Sequence, residues 1–259
     1  MECVHEPGFG REKLTHTFKD LGPLGFVSFD DIIHVNTQAG SQWDGFRHWG
    51  HQEAGLYYNG LRHEEIPDPK HFEKNGIHNW SKRGGIVGRA VLIDYVEYAQ
   101  KHNISYSAVT RHEISIKDIE AIAKEQEVEF KPADILIVRS GWTKWYNEAN
   151  EEERLKGAKN GHEFVGVAGN AETVEWLWNH HFAAVAGDAI AFEAWPPKPP
   201  YSKDSWFAEE TRTNCKPQDF MIIAWLCGVR QLENYGTWRS WQRSARGRIN
   251  IVSSSPALL

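Results

Sequence analysis

The chain has 259 residues, of which 25% are charged and 41% hydrophobic, an ordinary composition for a soluble globular protein. Its net charge of -6 argues against a nucleic-acid surface, and no apolar run is long enough to span a membrane. Three cysteines without a Cys-x-x-Cys pair predict neither a disulfide framework nor a cysteine zinc site, and they favour a cytoplasmic location. We expect one domain over residues 1–259.

The first part of the chain is irregular. Residues 1–25 are rich in glycine, proline and charge, which predicts an N-terminal arm or an irregular first hairpin. Within them, residues 15–18 have the composition of a short strand. Residues 26–35 are extended in pattern and lead into the stretch with the most reactive groups.

That stretch covers residues 34–60. If the strand before it continued, positions 38, 40, 42 and 44 would share one face, because side chains in a strand alternate. The alternative is a polar loop with a capping aspartate and solvated histidines. The groups that could do chemistry here are Gln38, Gln42, Trp43, Asp44, His48, Trp49, His51 and Tyr58.

Strand and helix patterns alternate along the rest of the chain, which predicts an α/β protein. A polar excursion over residues 61–84 precedes them, and a loop of that length usually serves a site or an interface. The predicted strands are 85–94, 134–141, 182–188 and 249–252, the predicted helices are 95–102, 115–124 and 171–178, and 220–228 could be either.

Several segments together resemble one known family. They are Gln-Trp-Asp-Gly-x-x-His at 42–48, Tyr-Asn-Gly at 58–60, the strand at 85–94 and the segment 187–196. The chain is similar, over residues 7–256, to the cyclase family that includes bacterial kynurenine formamidases and isatin hydrolases, and most to its fungal branch. The resemblance implies a compact α/β fold with a central barrel-like mixed β-sheet flanked by helices, and a homodimer or higher homo-oligomer.

The resemblance breaks down at the family's metal ligands. Metal-dependent members carry His-x-Gly-Thr-His-x-Asp followed by a histidine, and here the two ligand histidines fall on Gln38 and Gln42, while Asp44 and His48 are retained. A later ligand histidine falls on or near Met221, and its partner glutamate is retained as Glu233. Amide oxygens and thioethers are poor ligands for zinc, so we expect no metal and no other cofactor.

The remaining groups favour acid/base chemistry on a small molecule. We expect dehydration, isomerisation or cyclisation of an aromatic or polyketide-like compound, with His48 as general acid/base and Asp44 or Glu233 orienting it. The alternatives are a metal-dependent amide or lactone hydrolase and a catalytically inactive binding protein. Asp188 and Glu193 could join the acid/base set or cap neighbouring elements. The other site residues in this prediction are His51 for catalysis and Gln38, Gln42, Trp43, Trp49, Tyr58 and Trp195 for substrate binding.

Overall fold

A computed structural model describes residues 6–50 and 54–196, so the patterns at 220–228 and 249–252 lie outside the described residues. The strands are β1 (Thr15–Asp20), β2 (Phe29–His34), β3 (Ala90–Asp94), β4 (Glu113–Ile114), β5 (Ile135–Arg139), β6 (Gly166–Val167) and β7 (Ala184–Gly187). The α-helices are α1 (His78–Lys82), α2 (Tyr95–Lys101), α3 (Ile116–Glu125), α4 (Trp142–Glu148), α5 (Glu151–Arg154) and α6 (Ala171–Asn179), and a π-helical turn, Leu155–Lys159, follows α5.

A three-stranded parallel sheet in the order β3-β5-β7 forms the centre of the described chain. Its strands are apolar because both faces are covered, as parallel sheets require. One face packs on the main core, which contains Ile119, Trp142 and Phe164. The other face presents Ile135 and Ile137 to a smaller cluster. The predicted strands at 134–141 and 182–188 are confirmed, and the one at 85–94 is shorter, since β3 begins at Ala90.

The expectation of a barrel-like sheet is wrong for the described residues, in which the sheets are open. The central sheet ends at β3 and β7, and β4 pairs in parallel with β6 in a separate two-stranded sheet. The antiparallel hairpin of β1 and β2 is a third sheet. Three short strands leave no continuous ladder of hydrogen bonds that could close on itself. The architecture is a mixed α/β fold.

The helices follow their local sequence signals closely. At the start of α3 the Ser115 hydroxyl accepts a hydrogen bond from the Asp118 backbone N–H, while the Asp118 carboxylate accepts one from the Ser115 N–H. The helix α6 begins after Asn170, whose side chain caps Thr173. The predicted helices at 95–102, 115–124 and 171–178 are thus confirmed. No helix within the described residues is long and apolar enough to cross a bilayer.

The hairpin of β1 and β2 confirms the short strand predicted near residue 15 and extends it to Asp20. Every residue of both strands is exposed. Phe18, Phe29 and Ile33 lie on one face of the hairpin and are 64%, 63% and 60% exposed. The other described residues therefore leave this face largely uncovered, and an isolated two-stranded hairpin is only marginally stable in water.

Candidate active site

The chain turns after β2, at the start of the stretch that the sequence singles out. The Asn36 side chain accepts a hydrogen bond from the Gln38 backbone N–H at 3.0 Å and caps a short 3-10 helix, Thr37–Ala39. The strand therefore does not continue to residue 44, because capping by an asparagine side chain favours a turn over an extended backbone. The turn, and not strand alternation, brings the polar side chains together.

Asp44 is the buried centre of this group, with 4% of its surface exposed. The Gln38 Nε2 donates a hydrogen bond to Asp44 Oδ1 at 2.6 Å, and the Gln42 amide lies 3.0 Å from Gln38 Oε1. A buried carboxylate is costly unless it is hydrogen-bonded, and Gln38 supplies that bond. The predicted grouping of Gln38, Gln42 and Asp44 is present in the structure, with Gln38 holding Asp44.

His48 lies at the exposed side of the buried aspartate. A turn closed by a bond from the His48 N–H to the Gly45 carbonyl, 3.0 Å long, places the imidazole back over Asp44. His48 Nε2 is 3.9 Å from Asp44 Oδ2, and one third (33%) of the histidine side chain is exposed. That separation is longer than a hydrogen bond, as is common for catalytic pairs before substrate closes the site. The pair offers a reachable imidazole backed by a buried carboxylate.

Glu193 is a further acidic group of this site, which sequence reasoning weighed only as an alternative to a cap. It is half-buried on the segment after β7, where its backbone forms a bridge with Val167. Burial raises the pKa of Glu193 to about 7, and repulsion from the nearby Asp44 adds to the rise. Its neighbours Val167 and Asp44 are distant in the chain, so no local pattern could have revealed this environment.

Trp43 attaches the site segment to the central sheet. Its ring packs with Ile86, Ala90 and Leu92 against the smaller apolar cluster on β5 and β7. The Trp80 ring meets it edge-on at 6.4 Å. These contacts make Trp43 an anchor that fixes the position of Asp44, the next residue, relative to the sheet.

The other aromatic residues predicted for substrate binding are more scattered. Trp49 is 45% exposed with its ring 6.4 Å from that of His48. Tyr58 is 43% exposed and stacks on Phe46 at 4.3 Å. Trp195 packs edge-on against Phe9 of the N-terminal segment at 5.9 Å. Trp49 lies beside the acid/base pair, whereas Tyr58 contacts Phe46 and Trp195 contacts Phe9.

The polar excursion over residues 61–84 is bonded to Arg47, and its service to a site or an interface stays a prediction. The Arg47 guanidinium donates to the backbone carbonyls of His71, Phe72 and Lys74 at 2.5, 2.9 and 2.6 Å. Arg47 thus secures the excursion one residue before His48. Charge-assisted bonds to three carbonyls hold the imidazole and this loop in a fixed relation.

A small cavity lies beside the glutamines. It measures about 30 Å³ and is lined by residues 38–42, by Ala189 and Ile190 after β7, and by Phe9 and Arg11 of the N-terminal segment. A space of this size holds water and not an aromatic substrate. Its walls show that the loop after β2 and the segment after β7 face one another.

Asp188, which sequence analysis left between catalysis and capping, acts as a cap. Its carboxylate accepts bonds from the Ser140 N–H at 2.5 Å, the Ser140 hydroxyl at 2.8 Å and the Gly141 N–H at 3.0 Å. These groups lie at the start of α4, where backbone N–H groups have no partner within the helix. The buried carboxylate is fully engaged in joining the ends of β5 and β7.

The donor set in the described residues does not fit a catalytic zinc or manganese ion. No group of three or more histidine, cysteine, aspartate or glutamate side chains is placed to hold a metal within residues 6–50 and 54–196. Gln38 turns its N–H, not its oxygen, toward Asp44. An amide nitrogen is not a ligand for such ions.

Two residues predicted for catalysis, His51 and Glu233, lie outside the described residues.

The described residues combine an open α/β fold with a buried Asp44 beside a reachable His48. The chain belongs to the cyclase family, since the family model described as "Putative cyclase" matches residues 12–194. Membership confirms the predicted family, whereas the fungal branch and the replacement of the ligand histidines stay predictions.

Solved structures show the same fold. A crystal structure described as a novel cyclase is 25% identical, with a TM-score of 0.61, and the match covers 74% of this chain and 65% of that one. Isatin hydrolase A from Labrenzia aggregata, bound to benzyl benzoate, is 13% identical, with a TM-score of 0.52 and coverage of 86% and 73%. At that identity the second likeness concerns the fold alone. No curated protein matches the chain.

Proposed function

We propose that this chain is a metal-independent enzyme that dehydrates, isomerises or cyclises a small aromatic or polyketide-like molecule by acid/base catalysis. The observation that carries the proposal is the buried Asp44, fixed by Gln38, with the reachable His48 imidazole 3.9 Å away. An imidazole side chain can take or give a proton near neutral pH, and a buried carboxylate can orient it. The reaction is proposed to be cytoplasmic and part of natural-product biosynthesis, as the resemblance to the fungal branch suggests.

The identity of the residues at the family's metal positions supports this mechanism. In the resemblance, Gln38 and Gln42 stand where metal-dependent members have histidines. A bound metal would supply a hydroxide at neutral pH, and without one the hydrolysis of an unactivated amide needs another nucleophile. Protonation of a leaving hydroxyl and removal of a neighbouring proton need only groups such as His48 and Asp44.

A metal-dependent amide or lactone hydrolase is the second candidate, and the shared fold with isatin hydrolase A favours it. Metal content and hydrolysis separate the two. We expect less than about a tenth of an equivalent of zinc or manganese in protein purified without chelators, measured by inductively coupled plasma mass spectrometry, because amide ligands bind these ions weakly. We also expect no hydrolysis of isatin with or without added metal. Stoichiometric metal with isatin hydrolysis would establish the hydrolase instead.

Acid/base turnover has its own test. The probe is the aldol adduct of benzaldehyde and acetone, an aromatic β-hydroxy ketone that loses water to a strongly absorbing enone. His48→Ala should lower its dehydration rate about 100-fold or more, with an unchanged circular dichroism spectrum. The exposed His102, bonded to Glu125 away from the site, supplies the control variant His102→Ala. Equal rates for the native chain and His48→Ala would remove His48 from the mechanism. No acceleration by the native chain would favour an inactive binding protein.

We infer that a second copy of the chain covers the hairpin, which gives the predicted homodimer. The face with Phe18, Phe29 and Ile33 also carries His16 and Asp31, whose side chains are 2.6 Å apart, so it combines apolar area with a polar pair. Two copies related by a two-fold axis could bury such a face against itself. A small-molecule substrate and a second copy are the partners in this proposal.

The dimer predicts a specific response to one substitution. Phe18→Asp should convert a dimer into a monomer, because a carboxylate would be buried without a partner at the interface. Sedimentation velocity at micromolar concentration measures the change. Trp178→Asp is the matched control, since this residue of α6 is also 59% exposed and apolar. A native chain that sediments as a monomer would contradict the inference.

A further inference from the structure

We propose that Glu193 is the proton donor of the site and acts beside Asp44, which orients His48. The proposal rests on the acid/base function above and assigns its missing acid. It concerns a residue on the segment after β7, about 150 positions from Asp44 in the chain.

Strand alternation determines where the Glu193 side chain points. Phe192 and Ala194, on either side of it, are 4% and 1% exposed and belong to the core. Backbone bonds from Val167 N–H to the Phe192 carbonyl and from Ala194 N–H to the Val167 carbonyl, 2.8 and 2.9 Å long, hold the segment extended. The Glu193 side chain therefore leaves the opposite face, away from the core.

The space around Glu193 depends on two glycines. A Cβ at Gly166 would lie 2.3 Å from the Glu193 carbonyl carbon, and one at Gly169 would lie 3.6 Å from the Glu193 Cβ. Gly166 thus lets the two backbones approach closely. The segment that bears Glu193 begins with Ala189 and Ile190, which line a cavity together with residues 38–42. The segment that leads to Glu193 and the loop that leads to Asp44 thus face one another across this cavity.

The two carboxyl groups have different partners. Asp44 accepts a hydrogen bond from the Gln38 amide N–H at 2.6 Å. Glu193 has no ion pair with a cation in the described part of the chain, and the charged group that acts on it is Asp44, which disfavours ionisation. Val167 and Gly166, which pack against its backbone, and Gly169, which lies beside its side chain, carry no charge. A carboxyl group whose environment raises its pKa toward neutrality, as for Glu193, is suited to act as a general acid.

A second buried acid shows that burial alone is not the distinguishing feature. Burial also raises the pKa of Asp94. However, Asp94 contacts the Arg139 guanidinium at 3.1 Å and caps α2 through the Glu97 N–H, so its structural role is complete. Glu193 has neither a cation nor a cap among the described residues, and it retains accessible surface. Its proton is therefore available to a bound molecule.

The proposed step balances as a loss of water. Glu193 donates its proton to the leaving hydroxyl oxygen, and the carbon–oxygen bond breaks with its electron pair going to that oxygen. His48 takes the proton from the neighbouring carbon, whose C–H electron pair becomes the new carbon–carbon π bond. The proton on His48 then returns through solvent to the Glu193 carboxylate, so that both groups regain their starting states.

The first arm of the test needs no substrate. Carbon-13 NMR of protein labelled at its carboxyl carbons follows each glutamate as the pH changes. We expect one glutamate to titrate near pH 7, its signal to be absent in Glu193→Gln, and its titration to move to lower pH in Asp44→Asn, which removes the repelling charge. A Glu193 that titrates in the ordinary glutamate range would overturn the proposal, whatever the enzyme turns over.

The second arm measures dehydration of the same aldol adduct. Glu193→Gln should lose about 100-fold or more in rate, because an amide cannot donate the proton that the carboxylic acid gives. Glu193→Asp should recover part of the rate, which a purely structural role would not require. Full activity in Glu193→Gln with a large loss in His48→Ala would reject the donor and leave the proposed function standing. If Glu193 titrates near pH 7 but the native chain does not accelerate dehydration of the adduct, both the proposed function and the donor role are rejected.

Discussion

Asp188→Ala is expected to lower the free energy of unfolding by about 3 to 5 kcal/mol, because it leaves buried backbone N–H groups without acceptors. The carboxylate accepts from the Ser140 and Gly141 N–H groups and from the Ser140 hydroxyl, and it is 7% exposed. Each orphaned buried donor costs about 1 to 3 kcal/mol. Denaturant unfolding followed by far-UV circular dichroism measures the loss.

Two further variants serve as comparisons. Asp188→Asn keeps one acceptor oxygen, so its free energy of unfolding should fall less than that of the alanine variant. Asp118→Ala removes a helix cap nearer the surface on α3, where a loss of about 1 kcal/mol is usual. A loss below about 1 kcal/mol for Asp188→Ala would show that water replaces the carboxylate, and would reopen a role for Asp188 in the site.

The structural role of Asp188 shows which features a sequence reveals. Local signals were sufficient for α3, where Ser115 and Asp118 are three residues apart and form the cap by themselves. The sequence also shows that Asp188 follows a strand. Its role as an acceptor depends on Ser140 and Gly141, which only the pairing of β5 with β7 brings near. The helix α4 was missed for the same reason, since it begins after Gly141 at φ 93° and is capped from a distant strand.

The site shows the same division. The grouping of Gln38, Asp44 and His48 could be predicted because all three lie within eleven positions. Their geometry could not, since the Asn36 cap replaced the extended strand by a turn. The open sheets could not be anticipated from strand patterns, which describe a strand and not its partners. Glu193 was undervalued because burial and the charge of Asp44 define it, and both are properties of the folded chain.

Glu193→Gln is expected to make the protein more stable at pH 8, by about 2 to 3 kcal/mol. The pKa of Glu193 is raised from an ordinary 4.5 in the unfolded chain to about 7 in the folded one. Between these pH values the folded chain binds a proton that the unfolded chain has released. Stability from this group is therefore present below about pH 4.5 and is lost as the pH rises to about 7.

The measurement is the free energy of unfolding of both proteins at pH 5 and pH 8. The glutamine variant carries no titrating group at this position, so the difference between the proteins should grow with pH and be small at pH 5. Asp44→Asn is the matched control, because removal of the repelling charge should reduce the pH dependence while Glu193 remains. A difference that does not change with pH would mean that Glu193 titrates normally and that the repulsion from Asp44 is negligible.

The sign of this effect bears on function as well as on stability. If a side chain serves only the fold, its replacement should lower the free energy of unfolding of the protein, as expected for Asp188. A residue whose replacement stabilises the chain at pH 8 but slows proton transfer is held in an environment unfavourable to its own charge. That combination is typical of an active-site acid, since the same burial that destabilises the carboxylate keeps a proton on it near neutral pH. Stability and dehydration rate in Glu193→Gln should therefore move in opposite directions.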